Sequence, residues 1–131
     1  MRILALDYGP ARTGVALSDP SGTLARPVGV VERAATDEGL GRIAQLIAEH
    51  DAVRVVVGMP LTLRGERGAQ AQETERFVEA LRARTSVPVV TFDERFTTQL
   101  AEQSGSRSEE DARAAAHLLS SYLEWSSGVR A

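Results

Sequence analysis

The chain has 131 residues, 43% of them hydrophobic, and no cysteine, which is enough for one globular domain with a real core and excludes a disulfide framework or a thiolate zinc site. All 15 basic residues are arginine, set against 18 acids. The net charge of −3 speaks mildly against generic nucleic-acid binding, although acids that hold divalent cations would themselves supply negative charge.

The first element is predicted over Ile3–Asp7, where Ile3, Leu4, Ala5 and Leu6 leave neither face polar, as suits a strand buried on both sides. Gly9, Pro10 and Gly14 then form a turn, and a second apolar run to Ser18 completes a hairpin. Asp7 ends the first strand. It reads either as the cap of the turn or as a carboxylate that pairs with a cation, since an acid beside a buried strand is costly alone. Residues 25–32 (ARPVGVVE) predict a third strand, with Pro27 favouring an edge position. Thr36 reads as the N-cap of a helix carrying Leu40, Ile43, Ala44 and Ile47 at helical spacing. Residues 53–58 (VRVVVG) predict a strand, and Thr62 to Gln70 a loop. Thr74, Phe77, Val78 and Leu81 mark a second helix, and residues 87–92 (VPVVTF) another strand that runs into Asp93-Glu94-Arg95. Gln103 to Ser108 is a polar connection. The last helix carries Ala112, Ala115, Ala116, Leu119, Tyr122 and Leu123 on one face. Hairpin strands followed by βα alternation predict a mixed sheet with helices packed on it. No charged-then-apolar leader and no apolar run of membrane-spanning length is visible, so the expectation is a cytoplasmic protein.

Acids collect at the ends of these elements: Asp7, then Asp93 and Glu94, then Asp111 at the start of the last helix. Sites in open α/β sheets form outside the carboxyl ends of the strands. Carboxylates are hard oxygen ligands suited to Mg²⁺ or Mn²⁺, and two such ions about 3.5–4 Å apart can drive phosphodiester cleavage.

Five pieces in order carry a resemblance: Asp7-Tyr8-Gly9-Pro10-Ala11-Arg12-Thr13-Gly14; Val56-Val57-Gly58-Met59-Pro60-Leu61 with Gly65; Phe77 and Leu81; Asp93-Glu94-Arg95-Phe96-Thr97-Thr98; and Asp111 with Ala114, Ala115 and Tyr122-Leu123. With these the chain resembles the YqgF family, the RuvX-type Holliday-junction resolvases. The resemblance implies a ribonuclease H-like α/β fold over residues 1–131, with a five-stranded mixed sheet of order 3-2-1-4-5. It implies a Mg²⁺- or Mn²⁺-dependent nuclease, linked to junction resolution and to maturation of small-subunit ribosomal RNA, with Asp7, Glu94 and Asp111 as catalytic acids and metal ligands. Its partner would be nucleic acid, DNA junction or RNA, and a resolvase that cuts two strands symmetrically would be a homodimer. One departure stands out. Where family members carry a longer basic segment, this chain has Gln103-Ser104-Gly105-Ser106-Arg107-Ser108-Glu109-Glu110, short and partly acidic, which implies a weaker grip on substrate.

Several residues keep two readings. Adjacent strand residues point to opposite faces, so at most one of Asp93 and Glu94 faces a site. The resemblance selects Glu94 and leaves Asp93 to orient a neighbour. In a 3-2-1-4-5 sheet the last strand lies about 9.5 Å from the first, a gap that a long glutamate side chain closes in part. Asp111 fits a capping box with Ser108 as well as it fits a ligand. Arg12 is placed to hold a phosphate, or to pair with Asp7 when metal is absent. Arg64 and Arg67 in the glycine-containing loop suit phosphate oxygens, or are solvated. Arg95 belongs with them as a nucleic-acid contact. Thr97 and Thr98 are candidate phosphate donors or helix caps. Tyr8 packs on the turn or stacks on a base, Trp125 closes the core or a dimer contact, and His50 and His117 read as surface or packing residues.

Two other functions fit parts of the pattern. A nucleotide-binding domain of the sugar-kinase type also uses a strand-Asp-x-Gly hairpin, but it needs a second comparable domain. A non-catalytic binding protein on a nuclease-like scaffold fits the acidic segment before Asp111.

Overall fold

A computed structural model describes residues 1–97 and 106–130. Among these residues, strands β1 (Arg2–Asp7), β2 (Arg12–Ser18), β3 (Ala25–Glu32), β4 (Ala52–Met59) and β5 (Val89–Asp93) form one sheet in the order β3-β2-β1-β4-β5. The first three strands are antiparallel neighbours, whereas β4 runs parallel to β1 and β5 parallel to β4. This is the ribonuclease H-like order that the family resemblance implies. β3, with Pro27, lies at an edge, where a missing N–H costs least.

Helices α1 (Asp37–Glu49) and α2 (Ala69–Arg82) cover one face of the sheet. Helix α3 (Arg107–Arg130) covers the other. β1 alternates between the two cores: Leu4 and Leu6 point into the α1/α2 side and Ala5 into the α3 side. Strand β1 has partners on both edges and helices over both faces, which explains its continuous apolar run. Thr36 caps α1 as predicted, its hydroxyl accepting from the Gly39 N–H at 3.1 Å. In α2 the predicted stripe of Thr74, Phe77, Val78 and Leu81 is buried, and in α3 Leu118 joins the predicted face.

Some boundaries differ for local reasons. β5 begins at Val89 rather than Val87, because Pro88 cannot donate to the ladder and the Val87 N–H turns to the Thr85 hydroxyl. β4 extends the predicted strand by one residue at each end. The predicted loop to Gln70 ends earlier, since α2 starts at Ala69.

Candidate active site at the carboxyl ends of β1, β4 and β5

Asp7 is the last residue of β1, and each neighbouring strand places a glycine beside it. On β2 its cross-strand partner is Gly14. A Cβ at Gly14 would overlap the backbone carbonyl oxygen of Asp111, so the glycine lets the first turn of α3 settle directly on the hairpin. On β4 the register pairs Leu6 with Val57, which sets Gly58 next along toward Asp7. A Cβ at Gly58 would lie 2.5 Å from Glu94 Oε1 and 2.9 Å from its Cγ. Glu94 therefore crosses β4 over this glycine and comes within hydrogen-bonding reach of Asp7. The gap of two strand spacings is closed by the long side chain and by the missing Cβ beneath it.

Glu94 opens a 3-10 turn, Glu94–Phe96, immediately after β5. Asp93 caps that turn: its carboxylate accepts from the Arg95 backbone N–H at 2.9 Å and from the Arg95 guanidinium at 2.6–3.1 Å. These bonds hold the Asp93 carboxyl below the usual range. The two adjacent acids thus point to different tasks, Asp93 to the local turn and Glu94 to Asp7.

The Asp7 and Glu94 carboxyls share a crowded, partly buried place. Burial raises both, and the mutual repulsion of the acids raises Glu94 further, to about 7. The two carboxyls lie within hydrogen-bonding reach of each other, and the nearby charge of Asp111 adds to the rise at Asp7. Two crowded carboxyls whose charged forms are disfavoured mark a position that is short of positive charge.

Asp111 lies one turn into α3. It is not the partner of Ser108 in a capping box. The helix starts earlier, and Ser106 accepts from the Glu109 N–H at 3.2 Å, so the cap sits two residues before the position the sequence suggests. Asp111 instead accepts from Arg12 Nε at 2.7 Å, with both side chains about one-third exposed. Arg12, expected to pair with Asp7 in the absence of metal, pairs with Asp111. As the side chains stand, no group of three His, Asp or Glu among the described residues forms a ready metal cage.

The predicted phosphate contacts are placed unevenly. Arg95 is engaged with Asp93 and also donates to the Leu63 carbonyl at 3.4 Å, beside Gly65. This ties the loop after β4 to the turn that carries Glu94. Arg67 pairs with Glu75 of α2 at 3.1 Å, and Arg64 is exposed. Thr97 closes the 3-10 turn with its N–H on the Glu94 carbonyl, and its hydroxyl is buried without a partner among the described residues. Thr98 lies outside the described residues. Tyr8 stacks on Phe77 with ring centroids 4.4 Å apart, so it belongs to the α2 packing rather than to a base. Trp125 rests against Phe92 and Tyr122 with about half its surface exposed.

The sheet order and helix placement define a ribonuclease H-like resolvase fold. The RuvC of Thermus thermophilus, solved in complex with a Holliday junction substrate, superposes with a TM-score of 0.59 over 96% of each chain at 17% identity. The fowlpox virus resolvase, solved with Holliday junction DNA, superposes with a TM-score of 0.52 over 95% of this chain and 98% of its own at 12% identity. The chain belongs to the RuvX family, described as Holliday junction resolvase, whose pattern its residues 1–125 match. A relative from Chloroflexus aggregans, named "Putative pre-16S rRNA nuclease", is 48% identical over 101 residues, covering 77% of this chain and 71% of the relative. One of the same name from Desulforamulus reducens is 37% identical over 133 residues, covering 95% and 97%.

Gly58, over which the Glu94 side chain passes, is the residue of the candidate site that the sequence reading leaves without a task. It appears in the quoted Val-Val-Gly-Met-Pro piece, but its purpose depends on the β4–β5 register and on the path of Glu94, neither of which a single strand reveals.

Proposed function

We propose that the chain is a metal-dependent nuclease that hydrolyses phosphodiester bonds, with Asp7, Glu94 and Asp111 as its acids. The observation that carries this reading is the meeting of Asp7 and Glu94 across Gly58, with Asp111 seated against Gly14 on the other side. Three acids from β1, the end of β5 and α3 thereby gather at one end of the sheet.

The residues fit a hard divalent cation. All three donors are carboxylates, and burial and crowding disfavour the charged forms of Asp7 and Glu94 at a place where positive charge is wanted. Asp7, Glu94 and Asp111 would hold Mg²⁺ or Mn²⁺, which when bound would activate water and stabilise the leaving oxygen. The chain's own residues supply the rest. Asp93, fixed by Arg95, sets the 3-10 turn that aims Glu94. The Arg95–Leu63 bond keeps the loop after β4 near that turn, and exposed Arg64 on the loop is available to phosphate. A cation held here would favour the charged form of Glu94, so cation binding would be stronger at higher pH.

The relatives' name points to precursor ribosomal RNA as substrate, and the family's description to a four-way DNA junction. A homodimer belongs with the junction reading, because paired cuts need twofold symmetry. The test is a panel of junction, duplex DNA, single-stranded DNA and precursor-like RNA with Mg²⁺ or Mn²⁺, run beside Asp7→Asn. The expected result is cation-dependent cleavage of one class that Asp7→Asn loses while keeping its fold. Equal cleavage by the Asp7→Asn protein would sink the assignment. A protein that binds nucleic acid but cuts none of the panel would support the non-catalytic scaffold instead.

A further inference from the structure

The ion pair between Arg12 and Asp111 stands in the way of the site as proposed. It engages one of the three acids, and as the side chains stand no three acids among the described residues come together to hold a cation. We infer that Arg12 is an exchangeable counter-charge: it occupies Asp111 in the free protein and passes to a non-bridging phosphate oxygen when Asp111 turns to a divalent cation. The inference rests on the metal-dependent reading above.

Its position suits the exchange. Arg12 opens β2 directly after the turn that follows Asp7, so its guanidinium stands at the same sheet end as the acids. Both partners are about one-third exposed, and an ion pair so open to water contributes little net stability. Breaking it is therefore easy for any partner that offers a better match. The swap also conserves charge pairing. Asp111 leaves a monovalent guanidinium for a divalent cation, and the guanidinium gains a phosphate, whose oxygens fit its paired N–H donors. The competing account is mechanical. Arg12 and Asp111 are 99 residues apart in sequence, and their bond also staples α3 to the hairpin.

The two accounts differ in what happens to cation affinity. Mn²⁺ binding is measured by titration calorimetry on the full chain without nucleic acid, for wild type, Arg12→Gln, Arg12→Lys and Asp7→Asn. Melting temperature and the KM for the cleaved substrate are measured on the same proteins. The exchange predicts that Arg12→Gln binds Mn²⁺ about two- to five-fold more tightly, the range that a part-exposed ion pair implies. It also predicts a raised KM for Arg12→Gln, with Arg12→Lys near wild type in Mn²⁺ affinity because it keeps the charge. A staple predicts the reverse: a lower melting temperature for Arg12→Gln and Mn²⁺ binding unchanged or weaker. If wild type binds Mn²⁺ through Asp7 and Arg12→Gln binds no tighter, the exchange is wrong and the metal reading survives. If no variant binds Mn²⁺ saturably, or Asp7→Asn binds like wild type, the metal reading falls and the exchange falls with it.

Discussion

The two faces of the sheet are packed from different residues. On the α1/α2 side the strands contribute Leu4, Leu6, Val15, Leu17, Val55 and Val57, which meet Ile43, Leu46, Phe77 and Leu81. On the α3 side they contribute Ala5, Ala16, Val56 and Phe92, and the helix answers with Ala112 and Ala115 near its start and with Leu118, Leu119, Tyr122 and Leu123 further along. Large side chains hold α1 and α2 at the usual distance, and each fully buried one stabilises the fold by about 1.5–3 kcal/mol. Small ones let the α3 backbone come close, until at Gly14 the helix and the hairpin touch main chain to main chain. The α1/α2 face is packed for cohesion throughout, whereas the small residues at the start of α3 let the Asp111 backbone rest on the hairpin beside the carboxyl end of β1.

Substitutions on the two faces should therefore separate stability from activity. The largest loss of stability is expected on the cohesive side. Ile43→Ala removes a fully buried side chain and should cost about 2–5 kcal/mol, with kcat near wild type at temperatures where the variant stays folded. Denaturant unfolding beside a cleavage assay measures both. Gly14→Ala acts on the other face. The added methyl group must push α3 outward, costing about 1–3 kcal/mol as overpacking does. Its cleavage should fall far more than its stability, because Asp111 moves with the helix. Equal activity in Gly14→Ala and wild type would show that the close approach serves packing alone.

The acid pair adds a pH dependence that sharpens the same contrast. Glu94 has its proton held more tightly in the folded chain, at about 7 against an ordinary 4.5. It thus favours folding fully below about pH 4.5, and that contribution is lost as pH rises through about 7. In chelator, wild type should lose melting temperature relative to Glu94→Gln across this window, and the gap should level off above it. Excess Mn²⁺ at pH 8 should reverse the order, because a bound cation stabilises only a protein that can hold it. A gap that ignores both pH and Mn²⁺ would contradict the raised Glu94 carboxyl. The smallest effect is expected at the helix start. Ser106→Ala should cost about 0.5–2 kcal/mol in thermal unfolding, and Ser108→Ala less, since only the first accepts from an α3 N–H among the described contacts.

Much of the frame was legible in the sequence because it is local. The end of β2 at Ser18, the bounds of β3, the Thr36 cap and the buried stripe of α2 all follow from period, proline placement and capping chemistry within a few residues, whereas β2 starts at Arg12 and so takes in Gly14, which the sequence assigns to the turn. Asp7 was legible because an acid ending an apolar strand is conspicuous; divergence of neighbours allows only one of Asp93 and Glu94 at a site, and it was the family resemblance that selected Glu94. What escaped depends on register between distant segments. Gly58 matters only because Glu94, 36 positions later, passes over it. The Arg12–Asp111 bond joins the second strand to the last helix. The capping register of α3 was misplaced because Ser106 and Ser108 offer the same signal two residues apart, and only the helix start decides between them.

The central claim is that α3 approaches the hairpin so closely in order to bring Asp111 to the Asp7–Glu94 pair. Asp111→Asn tests it most directly, scored for melting temperature and for Mn²⁺-dependent cleavage on the best substrate of the panel. The account predicts a melting temperature near wild type, since Ser106 and not Asp111 caps α3 and the Arg12–Asp111 pair is partly open to water, together with a loss of cleavage on the order of a hundredfold or more, as removal of a charge acting in the transition state brings. Cleavage at the wild-type rate in a folded Asp111→Asn protein would contradict it.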